Sequence, residues 1–217
     1  MTAPRSLSPA LSMPRLLRPL AGASLLLTVL VTGSGCVPLV VGGAALGGVS
    51  VVSDRRTSAS QLEDQAIELK AGNRLRDVVG DRAHVTVTAY NRAVLLTGEI
   101  FKEEDRAAIE QAVKKVDNVK SVSAEDLAVA WPSSASDRSN DAVLTTKVRA
   151  SLVDAAGISV SAFKVFTDRR VVYLFGRVTE AEATRGIEIA RGVQGVQKVV
   201  RLVEIISPEE LKSIQGK

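Results

Sequence analysis

The sequence predicts an α+β protein made of two copies of one small module, each in the order αββαβ with a three-stranded mixed sheet packed against two helices. Two observations carry that prediction: the chain repeats itself at a near-constant offset, and within each repeat the hydrophobic period changes in the same order. DQAIELKAGNRL (64–75) aligns with DAVLTTKVRASL (141–152) at an offset of 77. VTVTAYNRAVLLTGEI (85–100) aligns with FKVFTDRRVVYLFGRV (163–178) at 78, and VDNVKSV (116–122) with VQGVQKV (193–199) at 77. Only two copies, joined by a Ser-rich stretch from Pro132 to Ser139, indicate tandem domains and not a solenoid.

Each element follows from its pattern. Leu144, Val148 and Leu152 recur at helical spacing, and Ile67, Leu75 and Val78 do so more loosely in the first copy, so each module opens with a helix, the second one starting near Ser139. Alternation comes next: Val85 and Val87, a polar turn at Tyr90 to Arg92, then Val94 and Leu96, matched by Phe163/Val165 and Val172/Leu174. That is a β-hairpin with one buried face. Gly98 and Gly176 are expected to close the second strand where a side chain would obstruct the turn into the next helix. Glu103, Glu104 and Asp105 in one copy, and Glu180 and Glu182 in the other, put negative charge at the start of helices near 102–116 and 180–193, where the dipole favours it. Final strands are expected near 119–129 and 196–206, parallel to one hairpin strand through a right-handed crossover. Both phases of the last one are apolar (Val199, Val203, Ile205 and Val200, Leu202, Ile206), which leaves its inward face open.

The N-terminus has a different character. Arg15 and Arg18 form a basic region, Ala21 to Val31 an apolar core, and Gly33-Ser34-Gly35 the small residues a signal peptidase requires. The apolar core is short for a membrane span, and Met13 opens a stretch with the proportions of a complete signal by itself. The cut would fall before Cys36, the only cysteine, which excludes an intramolecular disulfide, a thiolate zinc site and a CxxC redox pair. Residues 37–52 are uncharged and Gly-rich, too short to cross a bilayer, and read as a tether on the lipid surface before SDRRTSASQLED enters solvent. The organisation expected is a signal (1–35), a modified cysteine with its tether (36–62), module one (63–130), a linker (131–139), module two (140–206) and a tail (207–217) of no assigned role.

Charge and motif chemistry exclude several classes. The net charge of +4 arises largely from Arg5, Arg15 and Arg18, which precede Cys36 with no acidic residue beside them. The mature chain would carry 25 of the 28 basic residues against all 24 acidic ones, so no nucleic-acid partner is expected. His84 is the only histidine and lacks a plausible serine or cysteine partner; a structural or solvent-exposed role is expected. The carboxylates cluster at helix starts, and neither a P-loop nor a GxGxxG stands between strand and helix. No enzyme, small-molecule substrate, metal or cofactor is expected. Trp131, the only tryptophan, is expected to pack between modules or to cover a strand end, with membrane-interface anchoring as the alternative.

These residues resemble known families. Gly-Ser-Gly-Cys at 33–36 resembles the bacterial lipoprotein signal, although that family more often has Leu or another aliphatic residue at the place of Gly33. The resemblance implies diacylglycerol and an N-acyl chain on Cys36, and Val37 in place of Asp implies sorting to the outer membrane. The alternative is an ordinary signal cleaved nearby, or an uncleaved anchor with an inert Cys36. Gly98, Gly176, the GVQKV stretch (195–199) and the duplicated αββαβ order resemble tandem BON domains. Together with Cys36, the tether and SDRRT they resemble the DolP type of outer-membrane lipoprotein, with Ser139 to Leu152 as the nearest match. That resemblance implies a non-catalytic, periplasm-facing protein that binds anionic phospholipid and supports outer-membrane integrity. The rival reading is a scaffold that recruits or regulates an envelope protein partner and touches the membrane only through its lipid.

On the lipid reading, the exposed side of the helix opening module two is the candidate surface. Val143, Thr146, Lys147, Arg149 and Ala150 are left outside when Leu144, Val148 and Leu152 face the core, with Gly195, Val196 and Lys198 expected on the same side. Lys147 and Arg149 would meet phosphate head groups and Val143 acyl chains. Two departures stand out: Asn118 replaces the glycine found at Gly195, and Val143 is smaller than the aromatic residue expected there in some DolP-type proteins.

Overall fold

The computed structural model describes residues 54–215, which belong to one compact unit, Val49–Lys217. The signal, Cys36 and the tether up to residue 53 lie outside the described residues. Module one runs α1 (Ser58–Val79), β1 (Ala83–Tyr90), β2 (Ala93–Ile100), α2 (Glu104–Lys114), β3 (Ser121–Ser123) and β4 (Leu127–Val129). Module two runs α3 (Ala135–Val153), β5 (Phe163–Asp168), β6 (Val171–Val178), α4 (Glu180–Gly192) and β7 (Lys198–Ile205), followed by a short helix α5 (Pro208–Gln215) in the tail.

Each hairpin is antiparallel, and the last strand runs parallel to the second hairpin strand, β7 beside β6 and β3 with β4 beside β2. In module one that last strand is broken. Ala124 is buried, its carbonyl accepts from Leu127 N (3.2 Å) and from the Arg106 guanidinium (2.6 Å), and the chain turns there before pairing resumes.

The helical stripes form the two cores. Leu144, Val148 and Leu152 are buried as their spacing requires, and in module one the stripe is Ile67, Ala71, Leu75 and Val79. Val78 is 37% exposed: a strict four-residue step from Leu75 lands on Val79, which takes the core position expected for Val78. Helix α3 starts at Ala135, four residues before the expected Ser139. Ser134 caps it, accepting from Asp137 N at 3.1 Å while the Asp137 carboxylate accepts from Ser134 N, so the Ser-rich stretch is helix from Ala135 onward. Thr179 and Glu182 form the same box on α4.

Gly98 and Gly176 act across the hairpin and not in the turn after it. A Cβ on Gly98 would lie 2.1 Å from the His84 carbonyl, and one on Gly176 2.5 Å from that of Ala162. In each module the missing side chain makes room for a backbone carbonyl at the start of the first hairpin strand.

The open question of the last strand has a physical answer. Val199 and Val203 pack on the helix side of module two, whereas Val200 and Leu202 join Tyr173, Phe175 and Phe166 in a second apolar layer. Tyr90 and Leu95 of module one complete that layer, with the Tyr90 and Phe175 rings stacked at 6.0 Å. Both phases of β7 are apolar because both of its faces are covered from Val199 to Val203, whereas Ile205 at its end is exposed.

Polar contacts surround this junction. Lys164 donates to Glu68 (2.9 Å) and to the Ala89 carbonyl (3.0 Å). Arg55, buried, crosses from the start of the described chain to module two, donating to both Glu182 oxygens (2.9 and 2.6 Å) and to the Arg177 carbonyl. Arg56 stays with module one, donating to Asp54 and Asp64 with its guanidinium 4.1 Å from the centre of the Tyr90 ring. The three apolar clusters and these clamps lie wholly within Asp54–Ile206, so a chain beginning at Val49 retains all of them.

Candidate functional site

The feature shared by both modules is how each hairpin turns. Asn91 and Arg92 (φ 49° and 69°), and Arg169 and Arg170 (φ 50° and 61°), all adopt the left-handed conformation, with no glycine among them. A buried aspartate from the opening helix holds each pair. Asp64 accepts from Asn91 N (2.7 Å) and Arg92 N (2.8 Å), and Asp141 from Arg169 N (2.7 Å) and Arg170 N (3.0 Å). Two charge-assisted hydrogen bonds offset the cost of two strained residues. The first residue of each aligned repeat, Asp64 and Asp141, thus fixes where the turn sits against its helix.

In module two this places the Arg169–Arg170 turn beside the start of α3 and the loop at Gln194–Gly195. A shallow groove of about 300 Å³ runs between them and is lined by Arg169, Arg170, Asn140, Asp137 and Gln197. It continues past Arg170 to Val143, Lys147 and Gly195. Val143 is 54% exposed, a large apolar side chain with open space over it. Asp137 is held below the usual carboxylate range, first by the Ser134 hydroxyl and then by its backbone, with Arg170 contributing.

The structure brings Val143, Lys147 and Gly195 together and distributes the other expected residues. Thr146 and Ala150 are exposed on the same helix face, Thr146 donating its hydroxyl back to the Ala142 carbonyl. Arg149 is exposed but stands two residues from Lys147, about 200° round the helix, so the two cations point to opposite flanks. Gly195 (φ 104°) occupies a backbone region that favours glycine, and Asn118 (φ 65°) fills the equivalent place in module one. Val196 is half-buried and packs on the core of module two. Lys198 opens β7 in a neighbouring depression with Arg191, which adjoins the groove at Gln197, and lies 3.9 Å from Asp126 of module one.

Arg169 and Arg170 are the residues that reading the sequence as a pattern missed. The DRRV tetrad reads as hairpin turn chemistry, and only the aspartate that faces it on α3 shows that the turn belongs to the groove. Elsewhere, His84 is half-exposed with Nδ1 3.4 Å from the buried Glu99 carboxylate, in a structural setting. Trp131 is 84% exposed and lies against Phe101 (5.2 Å between rings), just past β2. It touches Phe101 at the end of β2 and is not among the residues of the apolar layer between the modules. Among the described residues no helix is long and apolar enough to cross a membrane, and no three His, Cys, Asp or Glu side chains come together as a metal site.

The BON domain model matches twice, over residues 63–130 and 140–207. The chain is 30% identical to the outer membrane lipoprotein DolP of Haemophilus influenzae over 88% of this chain and 98% of that protein. It is 26% identical to a 21 kDa hemolysin of Actinobacillus pleuropneumoniae over 70% of this chain and 79% of that one. It is 41% identical to the osmotically-inducible protein Y of Escherichia coli over a shorter span, 36% and 38% respectively.

Proposed function

The chain belongs to the BON-domain family, and on that premise we propose that it is a non-catalytic outer-membrane lipoprotein whose second module binds anionic phospholipid and supports outer-membrane integrity. Cys36 carries the lipid, a diacylglycerol and an N-acyl chain, and holds the folded unit on the periplasmic side. Two or more acyl chains anchor firmly where one is marginal. The likeness to an outer membrane lipoprotein over almost the whole of both chains supports the location.

The observation that carries lipid binding is the groove of module two, where exposed Val143 stands beside Lys147 on one helix face. An apolar side chain and a cation at one edge suit a surface that meets acyl chain and phosphate together. The carboxylates at the helix starts support a non-catalytic role, since Asp137 and Glu182 are engaged in capping boxes.

The test is flotation of the Val49–Lys217 chain with vesicles of phosphatidylglycerol or phosphatidylcholine. Binding should require the anionic lipid and should fall at least tenfold in Lys147→Glu. Absence of binding to either composition would sink the proposal. A second reading, a scaffold for an envelope protein partner, draws on the exposed Phe101, Val129 and Trp131 at the far end of the module-one sheet. On that reading flotation fails while the lipidated protein still fractionates with the outer membrane.

A further inference from the structure

Resting on that reading, we propose that the Arg169–Arg170 turn is the phosphate-recognising element of the groove, receiving the phosphodiester of an anionic lipid whose acyl region meets Val143. The turn of module one is occupied: Arg92 Nε donates to the Asn118 carbonyl at 2.7 Å and approaches Glu63 at 3.7 Å, and Asp64 is shared with Arg56. In module two the same backbone conformation, held by the equivalent aspartate Asp141, carries two exposed arginine side chains. Among the described residues neither makes a side-chain hydrogen bond or an ion pair.

The two carboxylates in the groove do not neutralise them by contact. Asp141 is committed to the backbone N–H groups of the turn, and Asp137 to the capping box of α3. Arg170 lines both halves of the groove and so links the Arg169 end to the Lys147 and Val143 end. Guanidinium offers planar, paired donors that suit a phosphate better than an ammonium does, so the turn recognises and Lys147 supplies a point charge. A turn fixed by Asp141 loses little freedom when it binds, which favours a rigid site over a loose basic patch.

The test compares Arg169→Gln/Arg170→Gln with Arg191→Gln in the Val49–Lys217 chain, on phosphatidylglycerol and phosphatidylcholine vesicles, with a parallel titration of inorganic phosphate followed by amide chemical shifts. The backbone bonds to Asp141 survive the change, so the double variant should unfold at the wild-type temperature. One cation lying on an anionic surface contributes about fivefold in affinity, and its effect falls off within a Debye length of that surface. The double variant should lose clearly more than the roughly 25-fold that two such cations give without specific recognition, while Arg191→Gln, outside the groove, should lose no more than about fivefold.

Equal losses per charge would reduce the turn to bulk electrostatics and overturn the proposal. Wild-type flotation by the double variant, with Lys147→Glu still defective, would overturn it and leave the lipid reading standing. Saturable shifts at Arg169 and Arg170 with inorganic phosphate but no flotation would assign the turn to free phosphate and overturn the lipid commitment. No response to vesicles or phosphate would overturn both readings.

Discussion

The Asn91–Arg92 and Arg169–Arg170 turns share one backbone solution and differ in what surrounds it. In module one the aspartate that holds the turn also holds Arg56, and Arg56 lies over Tyr90 at the junction with module two. In module two the aspartate holds the turn alone, and the arginines face a groove. Duplication has kept the scaffold and divided the work: one turn is a strut of the junction, and its copy is left open. The stretch before α1 is part of this division, because Arg55 and Arg56 go to different modules from adjacent positions.

That comparison is broken most forcefully by removing the two aspartates. Asp64→Ala strips the turn of both acceptors and takes one of two carboxylates from half-buried Arg56, and should cost about 3 kcal/mol. Asp141→Ala loses only the turn bonds and should cost about 1–2 kcal/mol. Urea denaturation of both variants measures the difference; equal losses would mean that Arg56 adds nothing to the strut.

The junction is tested next through acid unfolding. Hydrogen bonds from Arg55 hold the Glu182 carboxyl below its usual range, against the opposing effect of burial. A carboxyl depressed in the folded state contributes stability that is fully present above its ordinary value of 4.5 and is lost as pH falls through and below it. Arg55→Ala should therefore lower stability at pH 7 and flatten its decline between about pH 5 and 3. A parallel, unflattened acid limb would show that Glu182 is not coupled to the junction. The smallest effect is expected from Trp131→Ala. Its ring is mostly in water, so stability should change by less than about 0.5 kcal/mol, and flotation should stay within twofold if module two does the binding.

Much of the fold was legible because it is local. The stripe of Leu144, Val148 and Leu152, the two hairpins and the charges at helix starts depend on residues a few positions apart. The misreadings have the same root. Loose helical spacing points to Val78 while the core takes Val79, and the Ser134 cap sits inside a serine-rich run that reads as linker. The two apolar phases of β7 were unreadable because the second layer that covers them comes from the other module. Arg55 meets a partner 127 residues away, and no periodicity announces such a pair. The groove was half legible: helical spacing exposes Val143 and Lys147, but it also grouped Arg149 with them across the helix. Arg169 and Arg170 join the site only through Asp141, a contact between elements.

The central claim is that module two meets lipid while the matching turn of module one does not. Amide hydrogen exchange of the Val49–Lys217 chain, with and without phosphatidylglycerol vesicles, tests it directly because both turns report in one sample. Slower exchange is predicted at the Arg169–Arg170 turn, the Asn140–Lys147 segment of α3 and the Gln194–Gln197 loop, with no change at Asn91–Arg92 and none with phosphatidylcholine. Equal protection of the two turns, or protection confined to module one, would contradict the account.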